Sequence, residues 1–400
     1  MGIPNRLKKS QRGGEANESM PANPESCALL RTIVRRSPNA AGRIHGLAAS
    51  VQDWDSLILL ARGHGMSSML YLRLAGIGPA VPQAAQEQLR SEYERNVFHN
   101  LANAAELIAT LQAFAREAIP AMPFKGVVLG ASAYGDLTTR LAGDLDVLID
   151  ERHLSRAAAL LLAKGYELKT PVSPDGMPES PENFEYHFER QSDGMVIELR
   201  WRFDITQPRF RRHLGMDWVW PRRRTTILAG AEVPNLDPES TMLVLCMHGC
   251  KHAWSRLIWI NDVAQVLSSF PGLDWKQLTR EARRSGLWRP LALGTLLAHW
   301  MADAPVPQTV LRRFESDAAA RSMAQHFQES LFDAPGSLPI GSKPYNIQLL
   351  GFRDRLRFFL SLDFLRPNAR DRAVLRLPKS LDALYYLVRP IRLLWDRSAR

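Results

Sequence analysis

Between Ala121 and Leu236 the apolar residues stop recurring every three or four positions and gather instead into short runs of strand length. These runs are Met122 to Lys125, Asp144 to Ile149, Tyr166 to Lys169, Phe184 to Arg190, Met195 to Trp201 and Thr226 to Val233. Outside them the spacing is helical, as in Trp54 to Ala61, Ser67 to Ala75 and Arg95 to Phe114, and again from Pro238 onward. The pattern predicts an α+β chain, with a small α/β core between helical flanks. Residues 1–24 read as a loose tail, 25–115 as an N-terminal helical region, 116–236 as the core and 237–400 as a C-terminal helical region. Ser192-Asp193-Gly194 predicts a hairpin turn. Helices are expected over Val127 to Tyr134 and over His153 to Ala163, the latter ended by Lys164-Gly165.

The segment richest in chemistry is Gly143-Asp144-Leu145-Asp146-Val147-Leu148-Ile149. In a strand, residues two apart share a face, so Asp144 and Asp146 converge while Leu145 and Val147 enter the core. Two carboxylates in one small space repel, and Mg²⁺, or Mn²⁺ in its place, removes that penalty and takes phosphate oxygens as further ligands. Two such ions about 4 Å apart stabilise both the attacking and the leaving oxygen of a nucleotidyl transfer. A third acid is expected from a neighbouring strand. In Met195 to Trp201, Val196, Glu198 and Arg200 share one face, which makes Glu198 the candidate and Asp204 its competitor. Upstream, Gly126 stands where a strand turns into a helix, so its backbone N–H groups are free to approach phosphates. Lys125 and Arg140 are candidates for neutralising a polyphosphate, or else ion-pair partners of the acids.

Composition narrows the partners. With 46% hydrophobic and 23% charged residues the chain is globular, and its formal charge of +10 favours polyanions: nucleotides, nucleic acid or an anionic membrane surface. Arg209, Arg211, Arg212 and Arg222 to Arg224 are clusters able to steer phosphates. Three cysteines, Cys27, Cys246 and Cys250, fit a reducing cytoplasm better than a disulfide framework. The tail's basic stretch has no apolar run behind it, which argues against a secretory signal, and no apolar run is long enough to predict a transmembrane helix.

His248 and His252 lie four apart on an expected helix and face the same way, as do Cys246 and Cys250. The two pairs are about 160° apart around that helix, so the four cannot share one zinc without unwinding it. The histidines are then packing groups, contacts to a phosphate or ribose, or, with Asp262, a small metal site. In residues 351–400 arginines alternate with apolar residues at helical spacing. Such helices either pack on the domain or make a peripheral contact with an anionic surface.

The ordered set Phe124-Lys125-Gly126, Tyr134-Gly135-Asp136, Arg140, Gly143 to Ile149 and Ile197-Glu198-Leu199-Arg200-Trp201 resembles the bacterial uncharacterised nucleotidyltransferase family of the DNA polymerase β-like superfamily. The likeness continues through Met247 to Leu257 with Trp259-Ile260-Asn261-Asp262, and ends in Leu384 to Pro390. It implies a small mixed-sheet nucleotidyltransferase core, Mg²⁺, a nucleoside triphosphate donor, ATP foremost, and transfer of a nucleoside monophosphate with release of pyrophosphate. By motif, the metal pair falls on Asp144 and Asp146 and the third acid on Glu198. Lys125, Gly126, Arg140, His248 and His252 fall on the nucleotide side. The acceptor stays open among small molecules, sugars, proteins and RNA. Two departures stand out: Val127 replaces the usual Ser or Gly after the turn glycine, and Glu198 is longer than the usual Asp by about 1.5 Å. Two further functions fit the residues, a module that binds nucleotide or polyanion without turnover, and a metal-dependent phosphohydrolase built on His248, His252 and Asp262.

Overall fold

The structure is a computed structural model that describes residues 23–171, 184–203, 214–333, 349 and 384–386. Asp204, Arg209, Arg211, Arg212, the tail up to residue 22 and most of the arginine-rich stretch after residue 350 lie outside the described residues. The chain forms two compact units, 1–346 and 347–400, the second described only at Leu349 and Leu384 to Tyr386.

Four short helices open the first unit: α1 (Pro24–Ile33), α2 (Ala40–Ser50), α3 (Trp54–Gly63) and α4 (Ser67–Leu74). Asn23 caps α1 by accepting from Glu25 N at 3.2 Å, and Pro24 sits in its first turn. Helix α5 (Gln83–Arg116) runs for 34 residues, about 51 Å at 1.5 Å per residue. It begins twelve positions before the apolar spacing suggests. Residues Gln83 to Glu94 bury one narrow stripe, Ala85, Leu89 and Glu92, and the propensity of Gln, Glu, Ala, Leu and Arg helps hold the helix there. Its second half buries Asn100, Asn103, Ala104, Leu107 and Phe114, so one helix ties the N-terminal region to the core.

The core holds β1 (Ala121–Pro123), α6 (Gly126–Leu129), β2 (Leu145–Ile149), α7 (Leu154–Ala163), β3 (Tyr166–Leu168), β4 (Glu185–Arg190) and β5 (Val196–Arg200). Among the described residues the five strands form one mixed sheet in the order β1-β2-β5-β4-β3, with β2 and β5 parallel and the other pairs antiparallel. Phe114, Val147, Ile149, Ala157, Leu161, Phe188, Ile197 and Leu199 form its apolar core. The helix expected over Val127 to Tyr134 is α6 followed by a wider π turn over Gly130–Tyr134, closed by Gly135 at φ 77°. The single strand expected over Thr226 to Val233 is instead a hairpin, β6 (Arg224–Leu228) and β7 (Ala231–Asn235), preceded by the one-turn helix α8 (Met216–Val219). Its two turn residues, Ala229 at φ 46° and Gly230 at φ 86°, have the signs of a type I′ turn. Ala in place of the usual Asn or Asp conceals that turn in the sequence.

The remaining elements are helical: α9 (Pro238–Lys251), α10 (Leu257–Ser269), α11 (Trp275–Ser285), α12 (Trp288–Ala302), α13 (Gln308–Glu315) and α14 (Ala318–Ser330). Trp254, fully buried between α9 and α12, is their anchor. A Cβ on Gly249 would fall 2.5 Å from its ring, and one on Gly294 would fall 2.5 Å from Cys246 Sγ, so both positions require glycine. The N- and C-terminal helices meet, with Leu257 N donating to His64 Nδ1 at 3.2 Å and Ile258 N to His64 O at 3.1 Å. No helix of the described residues is long and apolar enough to cross a membrane.

Candidate active site

Strand register brings the acids together. Asp146 on β2 lies directly opposite Glu198 on the parallel β5, and Asp144 immediately precedes β2. Each of the three offers a carboxylate oxygen within 4.8 Å of the others, and among the described residues no other His, Cys, Asp or Glu cluster has ligand spacing. Behind them Leu145, Val147, Ile197 and Leu199 are buried, because alternate residues of a strand face opposite ways.

Three further side chains complete the cluster. Lys125 Nζ lies 2.9 Å from Asp146 Oδ2, and Arg200, two residues beyond Glu198, contacts Glu198, Glu185 and, at 3.4 Å, Asp146 Oδ1. Glu185 faces Arg200 across the β4–β5 register. Burial, reinforced by Asp144 and Glu198, pushes the Asp146 carboxyl up to about 7 against the pull of Lys125 and Arg200. Burial disfavours the Glu198 carboxylate as well, but Arg200 and Lys125 outweigh it and hold Glu198 at about 2. Asp146 Oδ1 is buried and has no hydrogen-bond partner. A buried carboxylate oxygen with no hydrogen bond, converging with two further carboxylates, is the donor set a hard divalent cation takes, so these residues fit Mg²⁺ or Mn²⁺.

The turn before the sheet is strained. Lys125 holds φ 57° and ψ −146°, a region L-residues rarely occupy, and Gly126 follows at φ 44°. A Cβ on Gly126 would meet Asp144 O at 3.3 Å, so the glycine allows the turn to lie against the acidic strand. Phe124 N donates to Asp146 O at 3.2 Å, tying the two segments. Val127 is buried in the core, consistent with an apolar residue at that position.

Arg140 touches this turn only through Nη1, which donates to Gly126 O at 3.4 Å, and is held mainly by α10. Its Nε and Nη2 donate to Asp262 Oδ1 and Oδ2 at 2.8 and 2.9 Å, and Tyr134 O–H donates to Asp262 Oδ1 at 2.7 Å. This buried network joins α10 to the loop ahead of β2. Asp262 is thereby engaged, and with His248 and His252 it forms no metal-ligand cluster, which corrects the phosphohydrolase arrangement. The histidines lie on the other side, near Lys125: His248 Nδ1 is 3.5 Å from Lys125 Nζ, and the His248 and His252 rings lie 4.7 Å apart. Cys246 and Cys250 are both fully buried against the helical core.

Sequence reasoning missed Asn100 and Asn103. Asn100 Nδ2 donates to Leu137 O and Arg140 O at 2.6 and 2.8 Å, its Oδ1 accepts from Ala142 N at 3.0 Å, and Asn103 Nδ2 donates to Ala142 O at 3.1 Å. They hold the loop that delivers Asp144. Two amides three apart on the apolar face of a helix were the available signal. Glu185 left no such local mark.

A profile of the family described as uncharacterised nucleotidyltransferase matches residues 50–303, more than half of the chain. No curated protein matches it. Among solved structures, the antibiotic-resistance factor ANT(2'')-Ia aligns at 11% identity over 56% of this chain and 95% of its own, with a TM-score of 0.29. An antigenic nucleotidyltransferase-like protein from Paracoccidioides brasiliensis aligns at 16% identity over 46% of this chain and 88% of its own, with a TM-score of 0.27. On the extent of the profile match, the chain belongs to the uncharacterised nucleotidyltransferase family.

Proposed function

We propose that this nucleotidyltransferase moves a nucleoside monophosphate from a nucleoside triphosphate, ATP foremost, to an acceptor, releasing pyrophosphate, and that Asp144, Asp146 and Glu198 are its metal-holding carboxylates. The observation that carries this is the convergence of the three carboxylates within 4.8 Å, with Asp146 Oδ1 buried and without a hydrogen bond. Mg²⁺ bound there supplies Lewis-acid stabilisation of the charge on attacking and leaving oxygens.

The chain's own groups do the rest. Lys125, at the strained turn, presents an ammonium beside Asp146 and is positioned to take the triphosphate's charge. Gly126 keeps the turn close to the acidic strand, so the phosphates and carboxylates share one space. Arg200 clamps Glu198 and Glu185 and fixes the third acid, held ionised, toward the acceptor hydroxyl. Arg140 acts by positioning the loop before Asp144 rather than by direct phosphate contact.

The test is label transfer. Wild-type protein with Mg²⁺, triphosphates labelled at the α-phosphate and cell extract as acceptor source is expected to transfer label and release pyrophosphate, and Asp144→Ala to do neither. Label transfer that survives Asp144→Ala and Asp146→Asn sinks the assignment. Triphosphate binding without transfer by wild type points to a binding module.

A further inference from the structure

A group of aromatic side chains adjoins the acidic cluster without a part in the chemistry above. Lys125 Nζ bridges the two: it is 2.9 Å from Asp146 Oδ2 and 3.5 Å from His248 Nδ1. Beyond it, the His252 and Trp259 rings lie 5.0 Å apart at 35°, and the His248 and Trp259 rings 5.3 Å apart at 90°. None of the three is fully buried; each is half-buried, unlike the neighbouring Trp254, which is fully buried. Burial, helped by nearby Lys125, Lys251 and Arg200, drives both imidazoles down, His252 to about 4, so at neutral pH they present uncharged π faces.

The backbone fixes this wall at some cost. Between His252 and Trp259, Ala253 and Trp254 both hold left-handed conformations, at φ 49° and 52°. Trp254 pinned against Gly249 and Gly294 sustains that strain and sets how α10 leaves α9. Strain maintained where three aromatic rings converge beside the Lys125 ammonium suits a ligand with one flat uncharged end and one anionic end.

We infer that the His248–His252–Trp259 wall receives the nucleobase of the triphosphate by stacking, while Lys125 takes its phosphates. This rests on the nucleotidyl-transfer function above and specifies where the donor lies. A base fits better than an acceptor because its flat ring is tethered to the phosphates, and the wall starts one side chain away from Asp146. Stacking on π faces is tolerant of base identity, so the wall by itself adds little preference among the four bases.

The experiment compares two ligands by calorimetry in Mg²⁺: each nucleoside triphosphate, and inorganic tripolyphosphate, which has the phosphates and no base. Trp259→Ala is expected to weaken every nucleoside triphosphate by about tenfold or more while leaving tripolyphosphate unchanged, and Trp259→Phe to retain most of the affinity. His252→Ala, at the open end of α9, is expected to act in the same direction and serves if Trp259→Ala fails to fold. Equal losses for both ligands, or undiminished triphosphate binding in both alanine variants, overturn the stacking wall alone. A wild-type protein that binds neither ligand overturns the nucleotide function itself and the wall with it.

Discussion

Asp262 provides the sharpest test of how the site is supported. It is 1% exposed and accepts from Arg140 twice and from Tyr134 once, at 2.7 to 2.9 Å, while Asn261 Nδ2 donates to the same Tyr134 oxygen at 2.9 Å. Asp262→Asn keeps the shape but removes the charge and turns an amide N–H₂ toward a guanidinium. Removing one partner of a buried ion pair costs about 3–5 kcal/mol, because the other charge stays buried and unpaired. Asn still accepts one of the hydrogen bonds, so a loss of about 3 kcal/mol is expected, a large part of the roughly 5–15 kcal/mol that holds a domain folded. Urea unfolding followed by circular dichroism measures it. Pairing Asp262→Leu with Arg140→Met is expected to be less damaging than Asp262→Leu alone, since no charge is then stranded. A loss below about 1 kcal/mol for Asp262→Asn, or no recovery in the double variant, refutes the reasoning. Lost transfer at undiminished stability would instead give Asp262 a chemical role.

Three other outcomes are expected. The Asp146 carboxyl sits near 7 without metal, so Mg²⁺ must displace a proton below that pH; apparent affinity is expected to rise with pH through 7 and then level off, with buffer-dependent proton release in calorimetry. His64 is buried and driven down to about 4 from its ordinary 6.5, so the unfolded chain takes up a proton first as pH falls. Stability is therefore lost between pH 6.5 and 4, by up to about 3 kcal/mol, and His64→Gln is expected to flatten that slope in denaturant titrations at each pH. Gly294→Ala drives a methyl into Cys246 and Trp254 and is expected to cost about 1–3 kcal/mol in thermal unfolding; a stable variant would show that the anchor tolerates movement.

What could be read along the chain followed from period. The switch from helical to strand spacing located the sheet, and the two-residue repeat turned Asp144 and Asp146 one way and Leu145 and Val147 the other. Glu198 and Arg200 shared a face for the same reason, and Gly194 marked its hairpin through a positive φ of 73°. The β6–β7 turn was hidden because Ala229 took a conformation its side chain gives no sign of. The early start of α5 was hidden because its first three turns bury only Ala85, Leu89 and Glu92, too few large apolar residues to show a period.

Local sequence thus determined the secondary structure and which face of each strand carries acid, since both depend on neighbours two to four residues away. Pairing across distance was decided only by the tertiary structure. Parallel register set Glu198 against Asp146, α5 brought Asn100 and Asn103 under the loop before Asp144, and α10 claimed Arg140 with Asp262. Arg140 and Lys125 look alike as lone cations in the sequence. One is locked in a buried ion pair with Asp262, 122 positions along the chain, and the other stands beside Asp146 on the neighbouring strand, because which acid reaches a cation is set by how the segments pack.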